Sequence, residues 1–204
     1  MEILKSFGIY EIIAVFIPGI IAFYFVDRFY ALNLFQNTNL LVIASLSYVL
    51  GQLLQGVARL IEGIYWKFWG GIPTVWILNK RKSVFSNEFR ERIFKLFKDN
   101  YELELNEKNL FLIKEFANDD FRLQIFNTHY GLFRALSTIS IIFLVGYLFR
   151  CRNLTDIAMA GVLLIIAIIS LHRMHTFSIH YAKRLFSVFV EKSEKRHFKW
   201  VQKA

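Results

Sequence analysis

Residues 39–69 read NLLVIASLSYVLGQLLQGVARLIEGIYWKFW, an apolar stretch that carries a stripe of polar side chains. On a helix with 3.6 residues per turn, side chains three or four positions apart share one face, so the stripe covers an arc of about 100°. Leucine, isoleucine and valine cover most of the remaining surface. The stretch therefore predicts a membrane-spanning helix with one polar face. The polar stripe comprises Ser45, Tyr48, Gln52, Gln55, Arg59 and Glu62.

Three interpretations of the polar stripe remain open, because amide and charged groups at membrane depth must meet another helix, another subunit or water. The first is a buried seam inside a four-helix monomer, in which Gln52 and Gln55 hydrogen-bond to hydroxyl groups of the third span. The second is the lining of a pore or water-filled cavity shared by several subunits. The third is a small-molecule transport site, although the inverted repeats typical of transporters are absent. The hydroxyl groups in question belong to Ser137, Thr138 and Ser140.

Arg59 and Glu62 of the stripe are three residues apart, which places them on the same helix face. We expect these two side chains to form an ion pair with each other near the inner membrane boundary. Such a pair would have a structural role under each of the three interpretations.

The composition of the chain is that of a small helical membrane protein. Apolar residues make up 55% of it, and 22 of its 204 residues are Phe. Because a span needs about 20 apolar residues, we predict an all-α integral membrane protein with four transmembrane helices and cytoplasmic helical extensions. Pro18-Gly19 in the first span predicts a kink or local unwinding. The four apolar stretches are residues 9–26, 40–60, 132–149 and 157–171.

The chain is expected to alternate between membrane and cytoplasmic segments. Residues 1–69 form a first transmembrane helix pair, 70–131 a basic cytoplasmic helical segment, 132–174 a second transmembrane pair and 175–204 a basic cytoplasmic helical tail. Ser86 is the predicted N-cap of a basic amphipathic helix. We expect this helix to rest on the membrane surface through its apolar side, with binding of a partner as the alternative. That side consists of Phe89, Ile93, Leu96 and Phe97.

The distribution of Lys and Arg predicts the topology. Residues 64–134 hold twelve of them and the tail from residue 171 holds eight, whereas the connections 27–39 and 150–156 hold one and two. Basic residues stay on the cytoplasmic side of a membrane. Both termini and the long middle segment are therefore expected on the cytoplasmic side of the bacterial inner membrane. The formal charge of +9 then faces anionic lipid, RNA or an acidic protein partner.

Two Arg-x6-His pairs are the only pattern with a catalytic interpretation. They are Arg122 with His129 and Arg173 with His180, and each pair shares one helix face. This spacing is compatible with the ribonuclease motif of HEPN domains, but a basic helix beside a membrane also produces it by chance. No nucleophile elbow, phosphate loop, zinc-protease motif or dinucleotide fingerprint occurs. We therefore predict a non-enzymatic protein, with a membrane-tethered ribonuclease as the alternative.

We expect neither a cofactor nor a metal ion. His172, His175 and His180 are close in sequence, yet no carboxylate or cysteine accompanies them to complete a ligand set. Cys151 is the only cysteine, so no internal disulfide can form and an unpaired thiol is expected.

Four short strings of the chain are informative together: YEIIAVFIPG (10–19), GQLLQGVARLIE (51–62), YWKFWGGIPT (65–74) and FSIHYAKRLF (177–186). They resemble small multi-span bacterial membrane proteins found beside antiviral defence genes. The similarity is to the four-span accessory proteins of type VI-B CRISPR loci, which sit beside an RNA-guided, RNA-cleaving effector. It implies modulation of that effector or a membrane response triggered by it, and it implies no catalytic residue. We hypothesise a homo-oligomer whose basic face binds the effector or RNA and whose membrane part changes permeability.

Overall fold

Helices make up almost all of the structure, a computed structural model that describes residues 8–79, 84–150 and 153–201, without the side chains of 36, 37 and 196–201. No strand occurs among these residues, and the predicted all-α fold class is confirmed. A π-helical turn, Glu11–Phe16, and a 3₁₀ turn, Val75–Leu78, supplement the α-helices. The α-helices are α1 (Ile17–Tyr30), α2 (Leu34–Asn37), α3 (Leu40–Phe68), α4 (Asn87–Tyr101), α5 (Leu110–Phe116), α6 (Phe121–Arg150) and α7 (Leu154–Val201).

In the described part of the chain, four helices are long and apolar enough to cross a membrane, as the sequence predicts. They are α1 with its π-helical turn, α3, α6 and α7. Helices α6 and α7 continue without interruption beyond their apolar parts. The extension of α7 contains no proline or glycine in the described residues, and Gly131 does not interrupt α6. By length and composition, the chain is consistent with a multi-pass membrane protein.

The chain divides into two compact units. Unit 1 comprises residues 1–65 and 127–177, and unit 2 comprises residues 66–126 and 178–204. Helices α3, α6 and α7 therefore each contribute residues to both units. The predicted division into membrane and cytoplasmic segments, with boundaries at 69/70, 131/132 and 174/175, stays a prediction.

Unit 2 has a hydrophobic core of its own. Helix α4 begins at the predicted N-cap, where the Phe89 amide donates to Ser86 Oγ at 3.2 Å. The prediction that α4 rests on the membrane through its apolar side is wrong. Ile93 and Phe97 are completely buried in the core, because α5 and the last part of α7 supply apolar side chains that cover them. The covering residues include Ile113, Leu185, Phe186 and Phe189.

Charged side chains stabilise the polar ends of unit 2. The buried Arg90 donates from Nε to the Ile77 carbonyl and from Nη2 to the Leu78 carbonyl at 2.8 Å. Arg184 binds Asp120 through two hydrogen bonds, Nε–Oδ1 at 3.2 Å and Nη2–Oδ2 at 2.5 Å. The hydrogen bond from the Arg184 guanidinium holds the pKa of the Asp120 carboxyl below its ordinary range. The hydrogen bonds of Arg90 thus connect α4 to the 3₁₀ turn, and the ion pair of Asp120 with Arg184 connects the start of α6 to α7.

In unit 1, α1 and α3 approach each other closely at two glycines. A Cβ atom at Gly19 would overlap the carbonyl oxygen of Ser47, and one at Gly51 would overlap the carbonyl of Val15. Small residues permit such close backbone contact between membrane helices. The local irregularity predicted at Pro18 takes the form of the π-helical turn that directly precedes α1.

Much of the outward surface of α3 and α7 in unit 1 is apolar. Leu60 of α3 is 82% exposed, and the exposed residues of α7 within this unit are mainly isoleucine, leucine and valine. A contiguous surface of this kind would be unfavourable in water, and it is typical of a protein that faces lipid. Its residues include Leu40, Leu41, Val49, Leu53 and Leu60 of α3, and Ile157, Val162, Ile165, Ile168 and Ile169 of α7.

Candidate functional site

Gln55 connects α3 to the backbones of two other helices of unit 1. Its Nε2 donates to the Ala14 carbonyl and to the Gly131 carbonyl at 3.1 Å, and the residue is 8% exposed. In a regular α-helix the Ala14 carbonyl would accept from residue 18, but residue 18 is a proline without an N–H group. The Gln55 amide supplies a donor at this position. A backbone acceptor in an apolar environment is satisfied in this way.

Arg134 of α6 joins two members of the polar stripe. Its Nη2 donates to Gln55 Oε1 at 2.5 Å, and its Nη1 donates to Glu62 Oε2 at 2.7 Å. The Tyr130 hydroxyl donates to Glu62 Oε1, and the guanidinium carbon lies 5.5 Å from the centre of the Tyr130 ring. Since Arg134 is only 6% exposed, its charge is balanced by a carboxylate within the helix bundle. We call Gln55, Glu62, Tyr130 and Arg134 the polar cluster.

The partners predicted for these side chains were wrong in two respects. Ser137 and Thr138 donate to the Arg134 carbonyl of their own helix, at 2.8 and 3.0 Å, and Gln55 binds Arg134 and backbone carbonyls instead. Glu62 is paired with Arg134 rather than with Arg59. The short range of serine and threonine hydroxyls favours a carbonyl one turn back in the same helix.

Sequence reasoning missed Arg134 as a site residue because it was counted with the basic cytoplasmic segment. The signal was present, since Arg134 lies inside the apolar stretch 132–149 and Glu62 is the one acidic member of the polar stripe. A buried cation requires a partner, and a search for complementary charges within the apolar stretches would have paired the two residues.

The other members of the polar stripe lie outside this cluster. Ser45, Gln52 and Arg59 are exposed, and Tyr48 is half-buried. Ser45 Oγ donates to the Leu41 carbonyl at 2.8 Å, and Gln52 Nε2 donates to the Tyr48 hydroxyl at 3.0 Å. The three exposed residues and two glycines of the same helix lie within an arc of about 60° on α3. We call this set, Ser45, Gln52, Gly56, Arg59 and Gly63, the exposed edge.

An open cavity of about 430 Å³ lies between the exposed edge and the polar cluster, within unit 1. It is lined mainly by polar and charged side chains. Arg134 Nε is buried and has no hydrogen-bond partner in the described part of the chain, although both Nη atoms are bonded. One of the residues that line the cavity therefore carries a buried donor with no acceptor in the described part of the chain. The polar lining of the cavity comprises Tyr10, Glu11, Gln52, Gln55, Arg59 and Arg134.

The histidines of the Arg-x6-His pairs make aromatic contacts. The ring centroid of His129 lies 4.9 Å from that of Phe177, and the ring centroid of His180 lies 5.8 Å from that of Phe126. Arg122 and Arg173 are both exposed. Stacking of this kind supports a packing role for the two imidazoles, while the ribonuclease interpretation stays a prediction.

No group of three or more His, Cys, Asp or Glu residues in the described ranges is arranged to hold a metal ion. The prediction for Cys151 concerns a residue that lies outside the described residues.

No family model, curated protein or solved structure matches the chain. What the fold defines is an all-α protein with four helices capable of spanning a membrane. The resemblance to accessory proteins of CRISPR loci therefore rests on the four short strings alone.

Proposed function

We propose that this chain is a multi-pass protein of the bacterial inner membrane that acts as a non-enzymatic accessory to antiviral defence. Both termini and unit 2 lie on the cytoplasmic side, where the basic surface binds an RNA-guided, RNA-cleaving effector or its RNA. Several copies of the chain assemble in the membrane and change its permeability when the effector is active. The resemblance of the four strings supports the defence role, and the distribution of Lys and Arg supports the orientation.

The exposed edge of α3 is the observation that carries the proposed change in permeability. Gln52 lies about 18 Å along the helix from Leu40, near the middle of a hydrocarbon layer about 30 Å thick. A single chain surrounded by lipid would expose the Gln52 amide at that depth, and Arg59 two turns further on. Such groups are costly in lipid and favour contact with water or with another subunit.

Different residues of the polar stripe thus fit two different interpretations, the buried seam and the pore lining. Gln55 and Glu62 belong to a buried seam, because their polar atoms are bonded to α6 and to the turn before α1. Gln52 and Arg59 are available to line an aqueous path between copies of the chain. Residues of the seam hold the helices together, whereas residues of the exposed edge affect ion passage.

Membrane potential in cells that contain the chain and an activated RNA-guided effector tests this function. We expect the wild-type chain to depolarise the membrane, and Gln52→Leu combined with Arg59→Leu to slow depolarisation roughly tenfold, because the path loses its polar lining. The control is Leu53→Ala, which changes the lipid-facing surface one residue away and should leave depolarisation unchanged.

Equal depolarisation by the wild-type chain and the double variant, at equal membrane content, would overturn the proposed role of the exposed edge. Depolarisation by neither protein would remove the permeability function altogether.

A further inference from the structure

The cavity in unit 1 brings together opposite charges that do not pair with each other. Glu11 and Arg59 both line it, and neither forms an ion pair within the described part of the chain. Arg134, the other cation of the cavity, already binds Glu62. A cavity of about 430 Å³ between an acid and a base leaves room for a ligand that carries both charges.

The charged lining lies at one end of the candidate spans. Glu11 is nineteen residues from Tyr30, and Arg59 is nineteen residues from Leu40. At about 1.5 Å per residue, each is about 28 Å from the far end of its span, close to the full thickness of the hydrocarbon layer. The charged end of the cavity, at Glu11 and Arg59, therefore lies at the level of lipid headgroups, while Gln52 lines its deeper part. Helix α3 presents the apolar surface of Leu53 and Leu60 towards the bilayer.

The guanidinium groups in the cavity favour a phosphate. Arg134 is only 6% exposed, and its Nε atom has no hydrogen-bond acceptor in the described part of the chain. Arginine N–H groups form strong hydrogen bonds with phosphate oxygens, which gain from both charge and planar geometry. The exposed Arg59 provides a second guanidinium, and the Tyr10 side chain lines the same space.

Many phospholipids carry a phosphate group, and the Glu11 carboxylate would distinguish among them by the rest of the headgroup. The carboxylate would repel a headgroup whose only charge is negative, and it would attract a primary ammonium group. We propose that the cavity binds the headgroup of a zwitterionic aminophospholipid, with the phosphate at Arg59 and Arg134 and the ammonium group at Glu11. The proposal rests on the membrane location in the proposed function, but it requires neither a permeability change nor a defence role.

Native mass spectrometry of the full chain in detergent, after removal of co-purified lipid, tests the proposal. The probes are phosphatidylethanolamine, phosphatidylglycerol and phosphatidylcholine with identical acyl chains, together with soluble glycerophosphoethanolamine. We expect phosphatidylethanolamine to bind roughly tenfold more tightly than the other two lipids, since only it combines phosphate with N–H donors for Glu11. The soluble headgroup should bind more weakly than the lipid, because it lacks acyl chains.

Two variants separate the charges. Glu11→Gln should remove the preference for phosphatidylethanolamine over phosphatidylglycerol, and Arg59→Gln should weaken the binding of both lipids. Lys67→Gln is the matched control, because it removes an exposed cation from the same helix outside the cavity lining and should preserve the preference.

The comparison of lipids on the wild-type chain does not depend on the folding of any variant. Equal binding of phosphatidylethanolamine and phosphatidylglycerol by the wild-type chain would overturn the proposal, as would an unchanged preference in folded Glu11→Gln. Glycerophosphoethanolamine that binds as tightly as the lipid would assign the cavity to a soluble ligand and overturn the lipid assignment.

Discussion

Gln52 and Gln55 carry the same amide only one turn apart on α3, but their surroundings give them different roles. Gln55 is buried, donates to two backbone carbonyls and accepts from Arg134. Gln52 is exposed, and its hydrogen bond goes to Tyr48 of its own helix. Gln55 is therefore expected to contribute to the stability of the fold, whereas Gln52 is one of the residues that we propose to affect ion passage.

This difference gives a matched pair of substitutions. Gln55→Leu should lower the free energy of unfolding by about 2–3 kcal/mol, because it leaves a buried N–H group of Arg134 without an acceptor and removes a donor from the Ala14 carbonyl. Gln52→Leu should change it by less than about 0.5 kcal/mol, since an exposed apolar residue replaces an exposed polar one. Thermal unfolding in detergent, followed by tryptophan fluorescence, measures both. Equal losses of stability would contradict the division of the polar stripe.

The sequence allowed the polar stripe to be located but not divided. Helical periodicity places Gln55 and Gln52 on one broad face, and only the packed neighbours decide which edge of that face is covered. One acceptor of Gln55 is the Ala14 carbonyl, which lies outside α3. In a regular α-helix this carbonyl would accept from residue 18, but Pro18 has no N–H group to donate. Such a contact across 41 positions in sequence has no local signal.

At the scale of elements, the contact between α1 and α3 depends on backbone approach. Gly19 and Gly51 each lie against a carbonyl of the opposing segment, at Ser47 and Val15. Backbone atoms cannot move aside as a flexible side chain can, so an added methyl group must separate the two helices. By contrast, Gly56 faces open space on the exposed edge.

We therefore expect Gly19→Ala to lower the free energy of unfolding by about 1–3 kcal/mol through overpacking against Ser47. Gly56→Ala is the control, and it should be neutral or slightly stabilising because alanine favours the helix by up to about 1 kcal/mol. Thermal unfolding of both variants in the same detergent provides the measurement. A Gly19→Ala variant as stable as Gly56→Ala would show that the helices do not pack closely at this point.

Helix α4 marks the limit of sequence-based reasoning at this scale. Its N-cap at Ser86 and its apolar periodicity were both evident, because they depend on local spacing. The surface that its apolar side meets was not, because a membrane and a protein core favour the same amphipathic pattern. The core was formed instead by Leu185, Phe186 and Phe189, about ninety residues away in the chain.

For the whole molecule, composition and hydropathy were sufficient to predict four apolar helices in an all-α fold. A span requires about 20 apolar residues, and few soluble elements imitate that signal. The cavity in unit 1 could not be predicted from the sequence. It depends on how three segments are placed relative to one another: the π-helical turn, helix α3 and helix α6. Its lining residues, such as Glu11 and Arg134, come from three distant parts of the chain.

For the whole molecule, the proposed change in permeability requires water to reach the exposed edge of α3 when copies of the chain assemble. Single cysteines introduced by Gln52→Cys and Leu53→Cys, in a Cys151→Ser background, place a thiol at nearly the same depth on two sides of the helix. A thiolate forms and reacts only where water is present, so a charged, membrane-impermeant thiol reagent distinguishes the two sides.

The reaction rates of these two cysteines in native membranes are the most direct measurement. We expect the cysteine at position 52 to react at least about tenfold faster than the one at position 53, because position 52 faces water and position 53 faces lipid. Equal rates at the two positions would contradict a water-lined edge on α3.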